Sequence, residues 1–298
     1  MIHKYKNGNM IVSIDDIDGT REIVTQDDEF RPEFPLNIDV NLTQYCTANC
    51  PFCYAECGTS GKHGDIMSAK FIDTLYPYME IALQVNDMTH PDLIPFLEKL
   101  KDNHIFTSIT VNQIHFEQKE DFIADLIDKK LIYGLGISLK NPTPEFLGKV
   151  RKYPNAVIHT INGITSIKDY VKLCNQGVKV LILGYKDKGR GHDYLLANKK
   201  EVKYNMNCLE DSIGVMIRTG WFDVLSFDNL ALEQLHIKDI LINNEWESFY
   251  QGDEGSISMY VDLVDGTFGE SSLIQKSEMM PLMDDVRDMF AIVKGNTK

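Results

Sequence analysis

The chain has 298 residues, 44 of them acidic and 30 basic. Its formal charge of −14 is spread without a long basic run, which argues against a partner gripped by its phosphates and disfavours nucleic acid. No stretch approaches the ~18 apolar residues that cross a bilayer, and Met1 to Gly8 has no apolar secretory core, so no membrane partner and a cytoplasmic location are expected.

Residues 1–35 are acidic and interrupted, and Asn7-Gly8-Asn9 marks a turn ahead of 10–14, which predicts a short N-terminal hairpin. From Leu36 onward, β-branched runs alternate with amphipathic stretches, the pattern of βαβ units around a parallel sheet. Strands are expected at 36–42, 81–85, 107–111, 132–139, 156–161 and 178–183, enough for an incomplete barrel. Helices are expected near 68–79, 91–101, 116–129, 144–152 and 167–174, with Ser68, Thr143 and Ser166 as N-caps and Pro144 at a first helical position. Leu93, Phe96, Leu97 and Leu100 form a helical stripe that would pack on the sheet. Beyond 185 come the loop 186–191, rich in lysine and glycine, a polar helical stretch to about 217 and a short strand at 224–228. A hairpin of 257–264 with 267–272 follows, turning at Asp265-Gly266. The fold class is α/β: an extension over 1–35, a partial barrel over 36–217, and a small α/β extension over 218–298.

Four of the six cysteines fall between 46 and 57, while Cys174 and Cys208 stand alone, a distribution suited to reducing cytosol and unlike a secreted disulfide framework. Cys46, Cys50 and Cys53 have C-x3-C-x2-C spacing and follow the first barrel strand, so they lie on the carboxyl rim where α/β folds place their sites. Three thiolates can hold an iron-sulfur cube and leave one iron open to a small molecule. Two other readings of these residues stay open. With Cys57 the loop could bind structural zinc through four thiolates, or hold a fully ligated electron-transfer cluster, although Gly58 stands where such clusters usually have proline.

The spacing of the three cysteines, with Phe52 before the last, resembles the signature of the radical S-adenosylmethionine (SAM) enzymes. That family's fold is a partial (β/α)6 TIM-like barrel with its cluster loop after the first strand, and the likeness covers residues 36–185. It implies a [4Fe-4S] cluster on Cys46, Cys50 and Cys53, Phe52 near the adenine of SAM, and reductive cleavage of SAM. It also implies hydrogen abstraction from a small-molecule, peptide or protein substrate, fed by a low-potential electron donor of flavodoxin or ferredoxin type. Where the family ends its second strand in Gly-Gly-Glu, this chain has Gln84, Val85 and Asn86, with Asp87 beyond. Asn86 can accept a bond from the amino group of SAM and Asp87 can supply charge, whereas Val85 carries a Cβ where glycine lets the backbone approach.

The resemblance makes Ser138 a contact to the carboxylate or ribose of SAM, with Asn112 and Asn162 on neighbouring strand ends as further cofactor ligands. Lys62 and His63 in the loop 59–65, His115, and Lys186 and Arg190 are the substrate candidates, the basic pair suiting a carboxylate or phosphate. The tail hairpin resembles the start of an auxiliary-cluster domain but lacks its cysteine, so a single cluster is expected. The missing Gly-Gly-Glu motivates one alternative, a cluster-bearing binding or redox-sensing protein without SAM cleavage. A zinc-stabilised module is the other. His3, His104, His159 and His236 read as structural.

Overall fold

The structure is a computed structural model that describes all residues except Asp18, Asp28, Asn243, Thr297 and Lys298, and the side chain of Asn296. A small antiparallel sheet comes first, formed by β1 (Ile2–Asn7), β2 (Met10–Asp15) and β3 (Arg21–Thr25). The main sheet contains β4 (Asn37–Asn41), β5 (Glu80–Asn86), β6 (Phe106–Asn112), β7 (Gly134–Ser138), β8 (Ala156–Ile161), β9 (Lys179–Leu183) and β10 (Val224–Phe227). It is completed by β11 (Ser258–Asp262), β12 (Thr267–Gly269) and β13 (Met280–Pro281). Its order is β10-β9-β8-β7-β6-β5-β4-β11-β12-β13, parallel from β10 to β11 and antiparallel in the last two steps.

The expected parallel α/β sheet is therefore present, but with ten strands where six were expected for the barrel, and with β10 and β13 as its two ends. The tail hairpin forms as read. Its first strand, β11, also lies parallel to β4 in register, Tyr260 opposite Asp39 and Asp262 opposite Asn41. The N-terminal hairpin gains a third strand, β3, whose acidic, broken flanks hide it in the sequence.

Alternation along the strands sets the architecture. Ile38 and Val40, Ile81, Leu83 and Val85, Ile109 and Val111, Ile137, Ile158, and Val180 and Ile182 are buried on one face. Each such side chain contributes roughly 1.5–3 kcal/mol when fully removed from water. The helices cover that face: the expected stripe of Leu93, Phe96, Leu97 and Leu100 is buried along Leu93–Asp102. The other face carries Asp39, Gln84 and Asn86, Ser108, Thr110 and Asn112, and His159, all at least partly open to water. An ordinary parallel sheet is apolar on both faces, whereas the second side of this one is a polar face that water reaches.

The small sheet adjoins the amino ends of the main-sheet strands. Arg21 of β3 pairs with Glu80 at the start of β5, and His3 stacks on Tyr78 with ring centroids 4.8 Å apart. The C-terminal helix Val286–Asn296 buries Val286, Met289, Phe290 and Val293, and the Val286 N–H donates to Thr74 Oγ1 (3.0 Å).

Two expected helices are corrected. Within 68–79 only the 3-10 turn Lys70–Thr74 forms, because Pro77 excludes the helical conformation at Tyr76 and Leu75 is already extended. Ser68 caps nothing; its own N–H donates to Asp65 (3.3 Å). The expected helix at 116–129 starts earlier and is split into Gln113–Gln118 and Glu120–Asp128 at Lys119, whose Nζ reaches the Asp87 carbonyl (2.6 Å). Thr143 and Ser166 do cap, accepting from the N–H groups of Phe146 (3.1 Å) and Asp169 (3.3 Å). In chemical denaturation, Thr143→Ala is expected to cost about 1 kcal/mol of stability, whereas Ser68→Ala changes it by less than about 0.5 kcal/mol. Equal costs would contradict this placement of the caps.

Candidate functional site

The cysteine loop leaves the carboxyl end of β4 and is zipped to its own return. Gln44 N–H donates to Lys62 O (2.9 Å), Gly58 N–H to Gln44 O (3.0 Å), Cys46 N–H to Gly58 O (3.1 Å) and Gly64 N–H to Leu42 O (2.9 Å). The return passes so close that side chains are excluded: a Cβ on Gly61 would stand 2.0 Å from Gln44 O, and one on Gly64 2.5 Å from Leu263 O. Inside the loop, Asn49 and Glu56 adopt left-handed φ values of 46° and 52°, and Cys53 N–H turns back to Cys50 O (3.2 Å).

Side chains from three strand ends hold this loop. Asn86, left-handed at φ 51°, donates from Nδ2 to Thr43 O (2.8 Å) and Tyr45 O (2.9 Å). The buried Asp87 carboxylate accepts from Thr47 Oγ1 (3.2 Å) and Thr89 Oγ1 (2.6 Å), and Thr47 Oγ1 also lies 2.9 Å from His115 Nε2. Asn112 caps the next helix through Oδ1 and points Nδ2 at Cys50 Sγ (3.6 Å). Beyond β9, Arg190 donates to the Cys50 carbonyl (3.2 Å) and the Cys57 carbonyl (2.6 Å).

The thiols differ sharply. Burial pushes Cys46 and Cys50 up from the ordinary thiol value. A hydrogen bond from Cys57 draws Cys53 down to about 6 against its own burial, and the Arg190 charge helps. Cys57 is pushed up by that same bond and by burial, and Gln84 Nε2 lies 3.5 Å from its sulfur. Within the pair, Cys53 is the sulfur drawn toward its thiolate and Cys57 the one held toward its thiol. Among the described residues, no three His, Cys, Asp or Glu side chains are drawn close enough to hold one metal ion.

The structure thus gathers Cys46, Cys50, Cys53, Asn86, Asp87, Asn112, His115 and Arg190 about one loop. Ser138 stands beside Asn112 in register, half-buried. Asn162 is buried and donates to Gln234 (3.0 Å), a neighbour outside the cysteine loop, while its Oδ1 has no partner among the described residues. Phe52 is half-buried and meets Tyr194 edge-on at 5.8 Å. Lys62 and His63 are exposed on the return strand, with His63 Nδ1 against Thr43 Oγ1 (2.8 Å). Lys186 Nζ sits 4.0 Å over the Tyr54 ring and donates to Ser272 Oγ (2.8 Å), and Lys188 donates to Ser272 and Ile274 carbonyls. The three cations of the 186–191 loop are therefore engaged with the protein's own groups, two of them with the segment after β12.

Sequence reasoning missed Thr47, which hides in a variable position of the cysteine motif, and Tyr54 just beyond it. It also missed Asp39, which lies on the polar face of β4. The polar alternation Asn37, Asp39, Asn41 in a strand otherwise apolar was the available signal for Asp39.

No family model matches this chain, and no curated protein matches it in sequence. Its fold is similar to that in the crystal structure of SuiB from Streptococcus suis bound to S-adenosylmethionine, with a TM-score of 0.59 over 98% of this chain and 89% of that one. The two sequences are 11% identical, so the likeness is one of fold.

The thiol pair yields a direct test on cofactor-free protein. Removing the donor in Cys57→Ala should return Cys53 toward the ordinary thiol range, and its alkylation by iodoacetamide at pH 7, followed by mass spectrometry, should slow by roughly tenfold as the thiolate fraction falls. An unchanged rate would mean that Cys57 does not set the state of Cys53.

Proposed function

We propose that the chain is a radical SAM enzyme that binds a [4Fe-4S] cluster through Cys46, Cys50 and Cys53, cleaves SAM reductively and abstracts hydrogen from a substrate. The observation that carries this reading is the position of the C-x3-C-x2-C loop on the carboxyl rim, beside the polar face of the sheet, in a fold similar to that of a SAM-bound protein.

The residues fit such a cofactor. Thiolates are the ligands iron-sulfur clusters take, and Cys53 is drawn toward its thiolate. A cube spreads its ligands over several irons, so it does not require the tight gathering of side chains that a single ion needs. Asn86 and Arg190 take up loop carbonyls and leave the sulfurs free, while Asn112 offers an N–H donor to the Cys50 sulfur. When bound and reduced, such a cluster supplies one-electron cleavage of SAM to a 5′-deoxyadenosyl radical.

The chain's own tasks are then binding and exclusion of water. Ser138, Asn112 and Asn162 present polar groups along adjacent rim positions for the carboxylate and ribose of SAM, and Phe52 offers an apolar face toward its adenine. Asn86 has both amide hydrogens engaged, so only its Oδ1, which also accepts from Gln84 Nε2 (3.4 Å), can receive the amino group, with Asp87 behind it. The electron comes from an external low-potential donor of flavodoxin or ferredoxin type, and the reaction takes place inside the cytoplasm.

A second reading is a redox or binding protein without SAM cleavage. It draws on Cys57, which lies against Cys53 as a candidate fourth thiolate. Anaerobic reconstitution with iron and sulfide, followed by dithionite and SAM, separates the two. The enzyme reading expects 5′-deoxyadenosine from the unmodified protein and from Cys57→Ala, and none from Cys50→Ala. Cluster-loaded protein that forms no 5′-deoxyadenosine, together with loss of the cluster in Cys57→Ala, would sink it in favour of the second. Colourless protein with stoichiometric zinc would sink both.

A further inference from the structure

Asn112 closes β6 and opens the helix Gln113–Gln118, and these two positions together fix its side-chain amide. Its backbone is still extended (φ −76°, ψ 147°), and Oδ1 caps the helix by accepting from the Ile114 N–H (3.0 Å). An N–H can be met only by the amide oxygen, so the cap decides which end of the amide is which. The amide is planar, and with its oxygen committed to the cap the nitrogen is directed elsewhere. It meets Cys50 Sγ at 3.6 Å.

Cys50 is held just as firmly from its own side. Its carbonyl accepts from the Cys53 N–H (3.2 Å) and from Arg190 Nε (3.2 Å). The N–H···S contact therefore joins two groups whose positions are set by other bonds. Among the described residues it is also the one side-chain N–H that reaches a sulfur of the C-x3-C-x2-C motif, since Gln84 Nε2 goes to Cys57 Sγ (3.5 Å).

A donor placed on such a sulfur acts on charge as well as on shape. Reduction of an iron-sulfur cluster adds one negative charge, part of which resides on the ligand sulfurs. An N–H dipole aimed at a ligand sulfur stabilises the reduced form more than the oxidised one and raises the reduction potential. The amide of Asn112 is neutral, so it brings this stabilisation without the desolvation cost of a buried ion. It is also half-buried, where a hydrogen bond is less screened than in open water.

We propose that Asn112, by holding an N–H on the Cys50 sulfur, raises the reduction potential of the cluster and so eases the arrival of the electron from the external donor. Asn112 is in this respect a positioning residue, since it acts through Cys50. The inference rests on reading Cys46, Cys50 and Cys53 as cluster ligands. It gives Asn112 a task that is separate from any contact with SAM and that is already fulfilled before SAM binds.

The test is a mediated redox titration of the reconstituted full-length protein without SAM, with the reduced cluster counted by electron paramagnetic resonance. Asn112→Ser leaves an oxygen for the helix cap and withdraws the N–H. At the potential where the unmodified protein is half reduced, its ratio of reduced to oxidised cluster should fall by about threefold or more, which for one electron is a shift of about 28 mV or more to lower potential. Asn112→Asp also keeps a cap oxygen but sets a carboxylate against the sulfur, and its potential should fall further. Gln84→Leu removes a donor from Cys57 alone and should leave the potential where it was. Iron and sulfide content and circular dichroism establish equal loading and a native fold in each variant. An unchanged potential in a fully loaded Asn112→Ser, a potential that rises in Asn112→Asp, or an equal fall in Gln84→Leu would overturn the proposal and leave the cluster reading standing. Unmodified protein that takes up no cluster would overturn both. The measurement needs no SAM cleavage, so its outcome is independent of whether 5′-deoxyadenosine forms.

Discussion

The main sheet is polar on its concave face from β4 through β6 and again at His159 of β8, and helices cannot cover a face of that kind without stranding its side chains away from water. The apolar face takes the helices and the core. The polar face must stay around a hydrated space, and the chain walls that space from several directions. The N-terminal sheet adjoins the amino ends of the strands, β11 to β13 extend the sheet beyond β4, and the cysteine loop lies over the carboxyl rim.

The cysteine loop is held mainly through its backbone, and only Asn112 and Gln84 among its described neighbours donate to its sulfurs. Asn86 and Arg190 bind backbone carbonyls, and the glycine-lined return supplies backbone pairing. A loop secured in this way keeps its shape while its thiols stay available to a ligand. Hydrogen bonds from a charged donor contribute roughly 1.5–3 kcal/mol each, which makes Arg190 a main brace, reaching the loop from across the sheet. Cys57 is different in kind from the other three thiols, since it supports Cys53 by donating to it.

Charge in the interior follows placement more than composition. The three cations of the loop after β9 are neighbours in sequence, which invites the reading of a basic patch. In the fold they separate, one to the loop carbonyls, one to a tyrosine ring and a serine, and one to carbonyls after β12.

Strand positions, the capping roles of Thr143 and Ser166, the buried stripe of Leu93 to Leu100 and the C-x3-C-x2-C loop were all legible from local pattern, because each depends on residues within one or two turns of chain. The failures had two causes. Residues 68–79 lack their helix because of Pro77, a local breaker, and the helix expected at 116–129 breaks where Lys119 reaches the distant Asp87. By itself the sequence determined that a parallel α/β sheet would form with a cysteine loop on its carboxyl rim, since alternation and spacing are properties of neighbouring residues. Only the tertiary structure decided that β11 pairs with β4, that Arg190 braces the loop and that Lys186 and Lys188 turn to the segment after β12, since hydrogen bonds and charges across a sheet depend on distances that no stretch of sequence encodes locally.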